Sequence, residues 1–261
     1  MSIKPALEDT PIEPDTIGIW PLGQSGYALK NAYGEIIFID PYLTEIISPL
    51  NYVMHTRLIP PVIEADSGLD VRAVLLTHDH LDHLDPNSVV MLAEPPETQF
   101  YGSSEVFDKL VHTLDIPELR VNLVAVGTDF EVGHYRVHAV KAVHGGGALG
   151  YVLEIDGLTL YFSGDTVLFY SMREIGARFS IDVAFLCING QAGNMDILGA
   201  LHAVKLVSPK VVVPNHYDMY ADNTDSPERF AYLFQQRYPE RTCLILRAGQ
   251  LHVVGSTGRI L

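Results

Sequence analysis

The stretch LLTHDHLDH, at residues 75–83, places three histidines and two aspartates in the six positions that follow an apolar run. A solvated turn does not need this many histidines, so the alternatives are a metal site and a polar turn with surface histidines. On a strand, positions i and i+2 share a face, so His78 and His80 can converge on one cation. A turn after the strand then brings Asp82 and His83 round to a second cation. Imidazole suits zinc, iron and manganese, and carboxylate adds an oxygen ligand.

Three further residues of metal-binding type end apolar runs elsewhere in the chain. His144 ends VHAVKAVH and precedes three glycines, Asp165 ends LTLYFSGD, and His216 ends VVVPNH. The carboxyl ends of strands are where open sheets present binding sites. Each of the three residues is explicable alone as structural. Together with residues 78–83 they favour one metal centre built from separate parts of the chain.

The composition favours a domain that acts on a small molecule. Hydrophobic residues make up 48% of the 261 residues, enough for a substantial core. We predict one domain over residues 1–261, with a loose N-terminal arm at residues 1–15. The net charge of −15, from 32 acidic and 17 basic residues, argues against nucleic acid as a partner. No apolar run approaches the ~18 residues of a membrane span, and the acidic N-terminus lacks a signal-peptide pattern, so we expect a cytoplasmic protein.

Short strand-like runs alternate with amphipathic helix patterns along the chain. Asp85 before Pro86, and Ser226 before Pro227, are typical helix starts. Residues 41–70 contain four prolines and little periodicity, so we predict a long excursion there. Strand meanders with helices outside them indicate an α/β fold of two stacked sheets with helical layers.

The ordered motifs THDHLDH, His144, SGDT with Asp165 and PNH with His216 resemble those of the metallo-β-lactamase superfamily. The resemblance implies an αβ/βα sandwich of two mixed sheets flanked by helices, which holds two divalent metal ions, manganese or zinc. It implies that Asp165 bridges the two ions. The other ligands it implies are, for the first ion, His78, His80 and His144 and, for the second, Asp82, His83 and His216.

The same resemblance implies two supporting residues. Asp40, which ends EIIFID, matches a group that holds a metal ligand in place, a recognised role for residues next to a metal site. An acid before Pro41 could instead cap a turn. Thr77 is expected to support the loop that follows it, with plain packing at the strand end as the alternative.

A narrower resemblance covers most of the chain. WPLGQSGYALK, RLIPP at residues 57–61, THDHLDHLDP, SGDT and VVVPNHYDMYADN are similar to the L-ascorbate-6-phosphate lactonase group, whose type enzyme is longer. That group opens sugar-type lactones in the cytoplasm, typically with manganese. The resemblance therefore implies hydrolysis of a small phosphorylated or otherwise anionic lactone. Metal-dependent cleavage of a cyclic or lipid-like phosphodiester is the alternative reaction, and a non-catalytic metal-bound sensor or scaffold is the alternative outside catalysis.

The expected chemistry assigns roles to particular residues. Asp82, Asp165 and His216 are the predicted catalytic residues: two ions activate water and polarise a carbonyl, and Asp82 relays a proton to the leaving alkoxide. Four residues are candidate substrate contacts, each with a structural alternative: Arg57 for a phosphate or carboxylate, and Gln24, Asn189 and Tyr217 at strand ends. A homo-oligomer is possible on this sequence.

Overall fold

Fourteen strands form two seven-stranded sheets in the part of the chain that the structure describes, which is residues 2–47, 56–64 and 68–255 of a computed structural model. The strands of the first sheet are β1 (Thr16–Gly23), β2 (Gly26–Lys30), β3 (Ile36–Ile39), β4 (Ala73–Leu75), β5 (Gln99–Gly102), β6 (Val121–Leu123) and β14 (His252–Gly255). Those of the second are β7 (Asp129–Val132), β8 (Tyr135–Lys141), β9 (Leu149–Ile155), β10 (Leu158–Phe162), β11 (Val183–Cys187), β12 (Val211–Asn215) and β13 (Thr242–Cys243).

Each sheet is half antiparallel and half parallel. The first has the strand order β14-β1-β2-β3-β4-β5-β6, antiparallel up to β3 and parallel from β3 to β6. The second has the order β13-β12-β11-β10-β9-β8-β7, parallel up to β10 and antiparallel beyond it. Parallel strands need crossover connections, and helices supply these on the outer faces except between β3 and β4, where the described residues contain no helix.

Three of the six helices in the described residues begin at a side-chain cap. The six are α1 (Lys4–Asp9), α2 (Pro86–Leu92), α3 (Ser104–Asp108), α4 (Met172–Arg178), α5 (Ile197–Val207) and α6 (Pro227–Arg237), with a π-helical turn at Lys109–Thr113 and a 3₁₀ turn at Glu118–Arg120. As predicted, the Asp85 and Ser226 side chains cap α2 and α6. Among the described residues no helix is long and apolar enough to span a bilayer, since even α5 and α6 have only 11 residues each.

The alternation of side chains along each strand separates three apolar layers. In β3, Ile37 and Ile39 face the core between the two sheets, while Phe38 faces the layer under α2 and α3. In β11, Phe185 faces the same central core and Leu186 the layer under α4, α5 and α6. Strands covered on both faces are apolar throughout, which explains the unbroken hydrophobic runs. The predicted αβ/βα sandwich of two mixed sheets is confirmed.

The N-terminal segment is not the loose arm that the sequence predicts. Its helix α1 inserts Leu7 fully into the core. The buried ammonium group of Lys30 donates to the carbonyls of Leu7, Glu8 and Thr10 at 2.6–2.9 Å. These carbonyls lie at the end of α1, where backbone acceptors lack helical partners. The prediction is wrong for the described residues because a lysine some twenty positions away fastens the helix.

The predicted excursion at residues 41–70 is confirmed where it is described. Positions 41–47, 56–64 and 68–70 contain no strand or helix. Several side chains of this stretch nevertheless pack inward, among them Tyr42, Leu43, Ile63 and Leu69. Residues 48–55 and 65–67 lie outside the described residues.

Candidate metal centre

The ligand-type side chains meet where strands of both sheets end. His78 follows β4 of the first sheet, while His144, Asp165 and His216 follow β8, β10 and β12 of the second. His216 has a positive φ of 61°, a region that residues other than glycine rarely adopt and that is concentrated at functional sites. All seven predicted ligands fall into groups whose candidate ligand atoms lie within 4.8 Å of one another.

The first group consists of three imidazoles, those of His78, His80 and His144. The Nδ1 atom of His80 lies 3.0 Å from His78 Nε2 and 3.3 Å from His144 Nε2. Nitrogen ligands of a tetrahedral zinc ion, at about 2.05 Å from it, are about 3.3 Å apart. The spacing of the three nitrogens therefore fits one divalent cation.

The second group consists of Asp82, His83 and His216. The Oδ2 atom of Asp82 lies 3.5 Å from His216 Nε2 and 3.9 Å from His83 Nε2. Asp165 lies between the two groups: its Oδ2 is 3.4 Å from His216 Nε2 and 3.9 Å from His144 Nε2, and its Oδ1 is 3.3 Å from His83 Nε2. Its Oδ2 is thus near both groups and its Oδ1 near the second, and Asp165 also forms a candidate group with His78 and His83. This placement suits a bridging ligand.

Two buried atoms of the centre show that its residues suit a cation. His83 Nε2 and Asp165 Oδ1 lie 3.3 Å apart but have no partner with hydrogen-bond geometry among the described residues. Leaving a buried lone pair without a partner is unfavourable by about 1–3 kcal/mol. A divalent cation would satisfy both atoms at once, and imidazole with carboxylate is a donor set that zinc and manganese accept.

The pKa values of the ligand-type residues also indicate a site that suits a cation. Burial alone would lower the pKa of His216, but the carboxylates of Asp165 and Asp82 outweigh it and raise the pKa to about 9. His83 follows the same pattern, and its pKa is raised well above the ordinary value. Burial alone would raise the pKa of Asp165, but His216 and His83 hold it well below the usual range. Both imidazoles thus hold a proton more strongly than usual beside the carboxylates, and a cation that binds them must compete with protons.

Asp40 and Thr77, the two predicted supporting residues, both contact ligands. The Asp40 carboxylate accepts the Thr77 N–H at 2.7 Å, the Thr77 hydroxyl at 2.6 Å and His83 Nδ1–H at 2.7 Å. The Thr77 hydroxyl in turn lies 3.1 Å from His78 Nδ1. Holding the Nδ1 proton of an imidazole leaves its Nε2 lone pair free for a metal. Asp40 and Thr77 together orient the Nε2 atoms of His83 and His78.

The loop between β11 and α5 contributes two contacts that the sequence did not predict. The Asn194 amide donates to Asp165 Oδ2 at 2.7 Å. The Gly193 carbonyl lies 3.3 Å from His144 Nδ1, so it can accept the Nδ1 proton of His144. The lone pair of His144 Nε2 is then directed toward His80. The only sequence signal is a glycine and an asparagine just before the helix cap Asp196, a pattern that ordinary turns share.

Gln24 and Arg57, two of the four predicted substrate contacts, lie around the second group. The Gln24 amide donates to Asp82 Oδ2 at 2.6 Å and lies 3.2 Å from His216 Nε2. The Arg57 guanidinium is buried next to Gly23, the neighbour of Gln24, and one of its nitrogens, Nη2, has no hydrogen-bond partner among the described residues. Both placements are compatible with a pocket beside the metal centre, and substrate contact by these residues stays a prediction.

Asn189 and Tyr217, the other two candidates, have partners inside the protein. The Asn189 amide donates to Asn223 Oδ1 at 2.7 Å, while its own Oδ1 is buried without a hydrogen-bond partner in the part of the chain that the structure describes. The Tyr217 hydroxyl donates to the Leu246 carbonyl at 2.7 Å, which gives this side chain a structural role on the side of residues 244–248. Asn189 keeps an acceptor for a ligand, whereas Tyr217 has its hydroxyl proton committed.

Known proteins are similar to this chain in sequence and in architecture. The profile of the beta-lactamase superfamily domain matches residues 36–217. A UPF0173 metal-dependent hydrolase of Myxococcus xanthus is 33% identical over 76% of this chain and 69% of its own length. A second such hydrolase, of Lysinibacillus sphaericus, is 31% identical over 75% of this chain and 90% of its own length. Among solved structures, Igni18, a metallo hydrolase of Ignicoccus hospitalis, superposes with a TM-score of 0.73 at 23% identity, covering 91% of this chain and 98% of that one.

Proposed function

Since the chain belongs to the metallo-β-lactamase superfamily and is a metal-dependent hydrolase of that fold, we propose that it opens the lactone ring of a phosphorylated or otherwise anionic sugar. We propose further that two divalent ions, manganese or zinc, occupy the first and second groups. Two groups with Asp165 between them support a pair of ions. Cations bound there supply a Lewis acid for a carbonyl oxygen and lower the pKa of water.

The buried guanidinium of Arg57 is the observation that carries the choice of an anionic substrate. Its Nε and Nη1 donate to three backbone carbonyls, those of Ile59, Tyr42 and Thr44, and it lies 4.5 Å over the Tyr42 ring. Among the described residues no carboxylate forms an ion pair with the guanidinium, and Nη2 has no hydrogen-bond partner. A buried charge is costly unless it is paired, and guanidinium suits phosphate and carboxylate.

The position of Arg57 supports a substrate whose anionic group lies close to the reacting atoms. Nη2 lies beside Gly23, and the adjacent Gln24 contacts Asp82 in the second group. Nη2 is shielded from solvent, so an anion reaches it only when surrounding side chains shift. Met219, which also lies against Gly23, has the flexible side chain that such a shift needs.

Within the centre, the carboxylates divide the work according to their exposure. Asp165 is 5% exposed and is fixed by the Asn194 amide, so it holds the two groups together. Asp82 is 17% exposed and is the carboxylate that a leaving group can approach. We assign to Asp82 the relay of a proton from the attacking water to the departing alkoxide, a role that requires hydrogen-bond reach of both oxygens.

A substrate panel tests the proposal. The metal-loaded protein is assayed on a phosphorylated sugar lactone, on the neutral lactone of the same ring and on bis-p-nitrophenyl phosphate. We expect turnover of the phosphorylated lactone with the highest kcat/KM. Arg57→Met should raise KM for the phosphorylated lactone by about 10–100-fold, because a hydrogen bond to a charged group contributes about 1.5–3 kcal/mol, and should leave KM for the neutral lactone nearly unchanged.

Arg120 provides a matched control for the loss of a guanidinium. All three of its nitrogens donate to backbone carbonyls, those of Thr98, Ala93 and Pro95, so none is left for a ligand. Arg120→Met should therefore leave both KM values unchanged. Preferential cleavage of bis-p-nitrophenyl phosphate would replace the lactonase proposal with phosphodiester hydrolysis. Full metal content without turnover of any substrate would favour a sensor or scaffold.

A further inference from the structure

Gln24 lies between β1 and β2, and its backbone is fastened to the strand end that carries His216. The His216 N–H donates to the Gln24 carbonyl at 3.3 Å, and Gln24 forms an isolated antiparallel bridge with Tyr217. The φ of Gln24 is positive, at 53°, a conformation that costs free energy for a residue with a side chain. This turn directs the Gln24 side chain into the metal centre.

The amide group of Gln24 has the position of a ligand in the second group. Its Nε2 lies 2.6 Å from Asp82 Oδ2 and 3.2 Å from His216 Nε2, and the latter two atoms are 3.5 Å apart. Donor atoms about 2.1 Å from one cation are separated by about 3.0 Å in octahedral and about 3.4 Å in tetrahedral coordination. Two edges of this triangle, 3.2 and 3.5 Å, match one coordination shell, and the third, 2.6 Å, is the length of the hydrogen bond that Nε2 donates to Asp82.

The oxygen of the same amide is free to coordinate. Gln24 Oε1 is buried and has no hydrogen-bond partner among the described residues. A half-turn about the last side-chain torsion, which is broad and roughly two-fold in glutamine, exchanges the positions of Oε1 and Nε2. Without a cation, the Asp82 carboxylate requires the N–H donor. With a cation in the second group, the oxygen is the atom that the same position favours, and Nε2 becomes available to a substrate oxygen.

We propose that Gln24 is itself a ligand, through Oε1, of the cation in the second group. This inference rests on the two-ion centre of the proposed function. The second group then offers two imidazoles with carboxylate and amide oxygens, whereas the first group offers three imidazoles. Oxygen donors suit manganese and nitrogen donors suit zinc. The two groups consequently differ in metal preference, with manganese favoured in the second.

Metal titration of Gln24 variants tests the proposal without reference to activity. Metal-free protein is titrated with Mn²⁺, followed by the electron paramagnetic resonance signal of the free ion, and separately with Zn²⁺ against a chelator. Gln24→Met keeps the length of the side chain and removes both amide atoms. We expect it to weaken the binding of one Mn²⁺ per chain by at least about tenfold, with a smaller loss for Zn²⁺. Gln24→Glu restores an oxygen at the same position and should recover Mn²⁺ affinity.

Asn189→Leu is the control. Asn189 is a buried amide at a neighbouring strand end, and it contacts Asn223 instead of a metal-binding side chain. The Mn²⁺ affinity of this variant should equal that of the wild type. A crystal structure of the Mn²⁺-loaded wild type should place Gln24 Oε1 about 2.2 Å from the ion. Nε2 still on Asp82 in that structure, or equal losses for Mn²⁺ and Zn²⁺ in Gln24→Met, would overturn the proposal. Binding of a single ion by the wild type would remove its premise, whereas a failure to hydrolyse lactones leaves these metal measurements unaffected.

Discussion

The carboxylate of Asp40 decides which nitrogen of His83 carries a proton. It is 1% exposed and accepts three hydrogen bonds of 2.6–2.7 Å, two from Thr77 and one from His83 Nδ1. A carboxylate only accepts hydrogen bonds, so the proton of a neutral His83 must sit on Nδ1. The Nε2 lone pair is then directed at the second group, 3.3 Å from Asp165 Oδ1.

Asp40→Asn reverses this assignment while keeping the shape of the side chain. Asparagine tolerates the left-handed backbone that Asp40 adopts at φ 43°, so the substitution adds no backbone strain. Its oxygen can still accept the Thr77 N–H, which leaves the amide NH₂ opposite His83 Nδ1. A donor there favours the other His83 tautomer, with the proton on Nε2, and that proton occupies the position of the cation.

The structure sets the size of both effects. Losing the partner that orients a metal ligand typically weakens metal binding by 10–100-fold, which corresponds to about 1.4–2.7 kcal/mol. In Asp40→Asn, the three hydrogen bonds that Thr77 and His83 donate to the Asp40 carboxylate are either replaced by bonds between neutral groups or lost. Since charged hydrogen bonds contribute about 1.5–3 kcal/mol and neutral ones about 0.5–1.5 kcal/mol, we expect the ion-free protein to lose about 2–4 kcal/mol of unfolding free energy.

Urea unfolding of the metal-free protein and competition for Zn²⁺ with a chelator measure the two quantities separately. Asp182→Asn is the control for the loss of a buried carboxylate. Asp182 is 3% exposed and accepts the Thr159 N–H at 2.8 Å and the Lys210 ammonium at 2.6 Å, at the other end of the sheet. It should lose stability and keep the metal affinity of the wild type. If Asp40→Asn bound zinc as tightly as this control, the tautomer argument would be refuted.

Two predictions concern stability away from the metal centre. Lys30→Met should lower the unfolding free energy by about 1–3 kcal/mol, because three carbonyls at the end of α1 lose their donor. Urea unfolding measures this change. As the control, Lys4→Met removes an exposed ion pair with Glu8 and should change the unfolding free energy by less than about 0.5 kcal/mol. Burial alone would raise the pKa of Glu35, but the His134 N–H and the Asn31 amide outweigh it and hold the pKa below the ordinary value. Wild-type stability should therefore fall as the pH drops below about 4.3, and Glu35→Gln, less stable at neutral pH, should lose that part of the slope in urea unfolding from pH 7 to pH 3.

The architecture and the set of ligand-type residues could be predicted because their signals are local. Strands that are buried on both faces need apolar residues at every position, which the runs around Phe38 and Phe185 show. Histidine and aspartate are conspicuous when they end such runs, as His144 and Asp165 do. The parallel pairing of β10, β11 and β12 then brings Asp165 and His216 to the same edge of the sheet.

The errors and omissions depend on contacts between distant parts of the chain. A six-residue helix such as α1 is too short to be stable alone, so its order depends on Lys30 and the core, which no local pattern records. Substrate contact by Tyr217 stays a prediction, but the bond of its hydroxyl to the Leu246 carbonyl, 29 positions away, has no local sequence signal. Asn194 reaches Asp165 from a loop whose glycines and asparagines would suit any turn.

The contacts between the two sheets indicate that the centre is formed before any cation binds. Ligands at 78–83 follow the first sheet, while the remaining three follow the second, so the site exists only when these strand ends are in register. One backbone and one side-chain hydrogen bond establish that register: the Leu149 N–H donates to the Thr77 carbonyl at 2.8 Å, and the Tyr151 hydroxyl donates to the Leu76 carbonyl at 2.9 Å. Cations that bind only the folded chain add stability according to their concentration relative to Kd, about 2.7 kcal/mol at a hundredfold excess. Metal binding here should therefore raise the Tm without being required for folding, unlike small metal-dependent domains that are unfolded when metal-free.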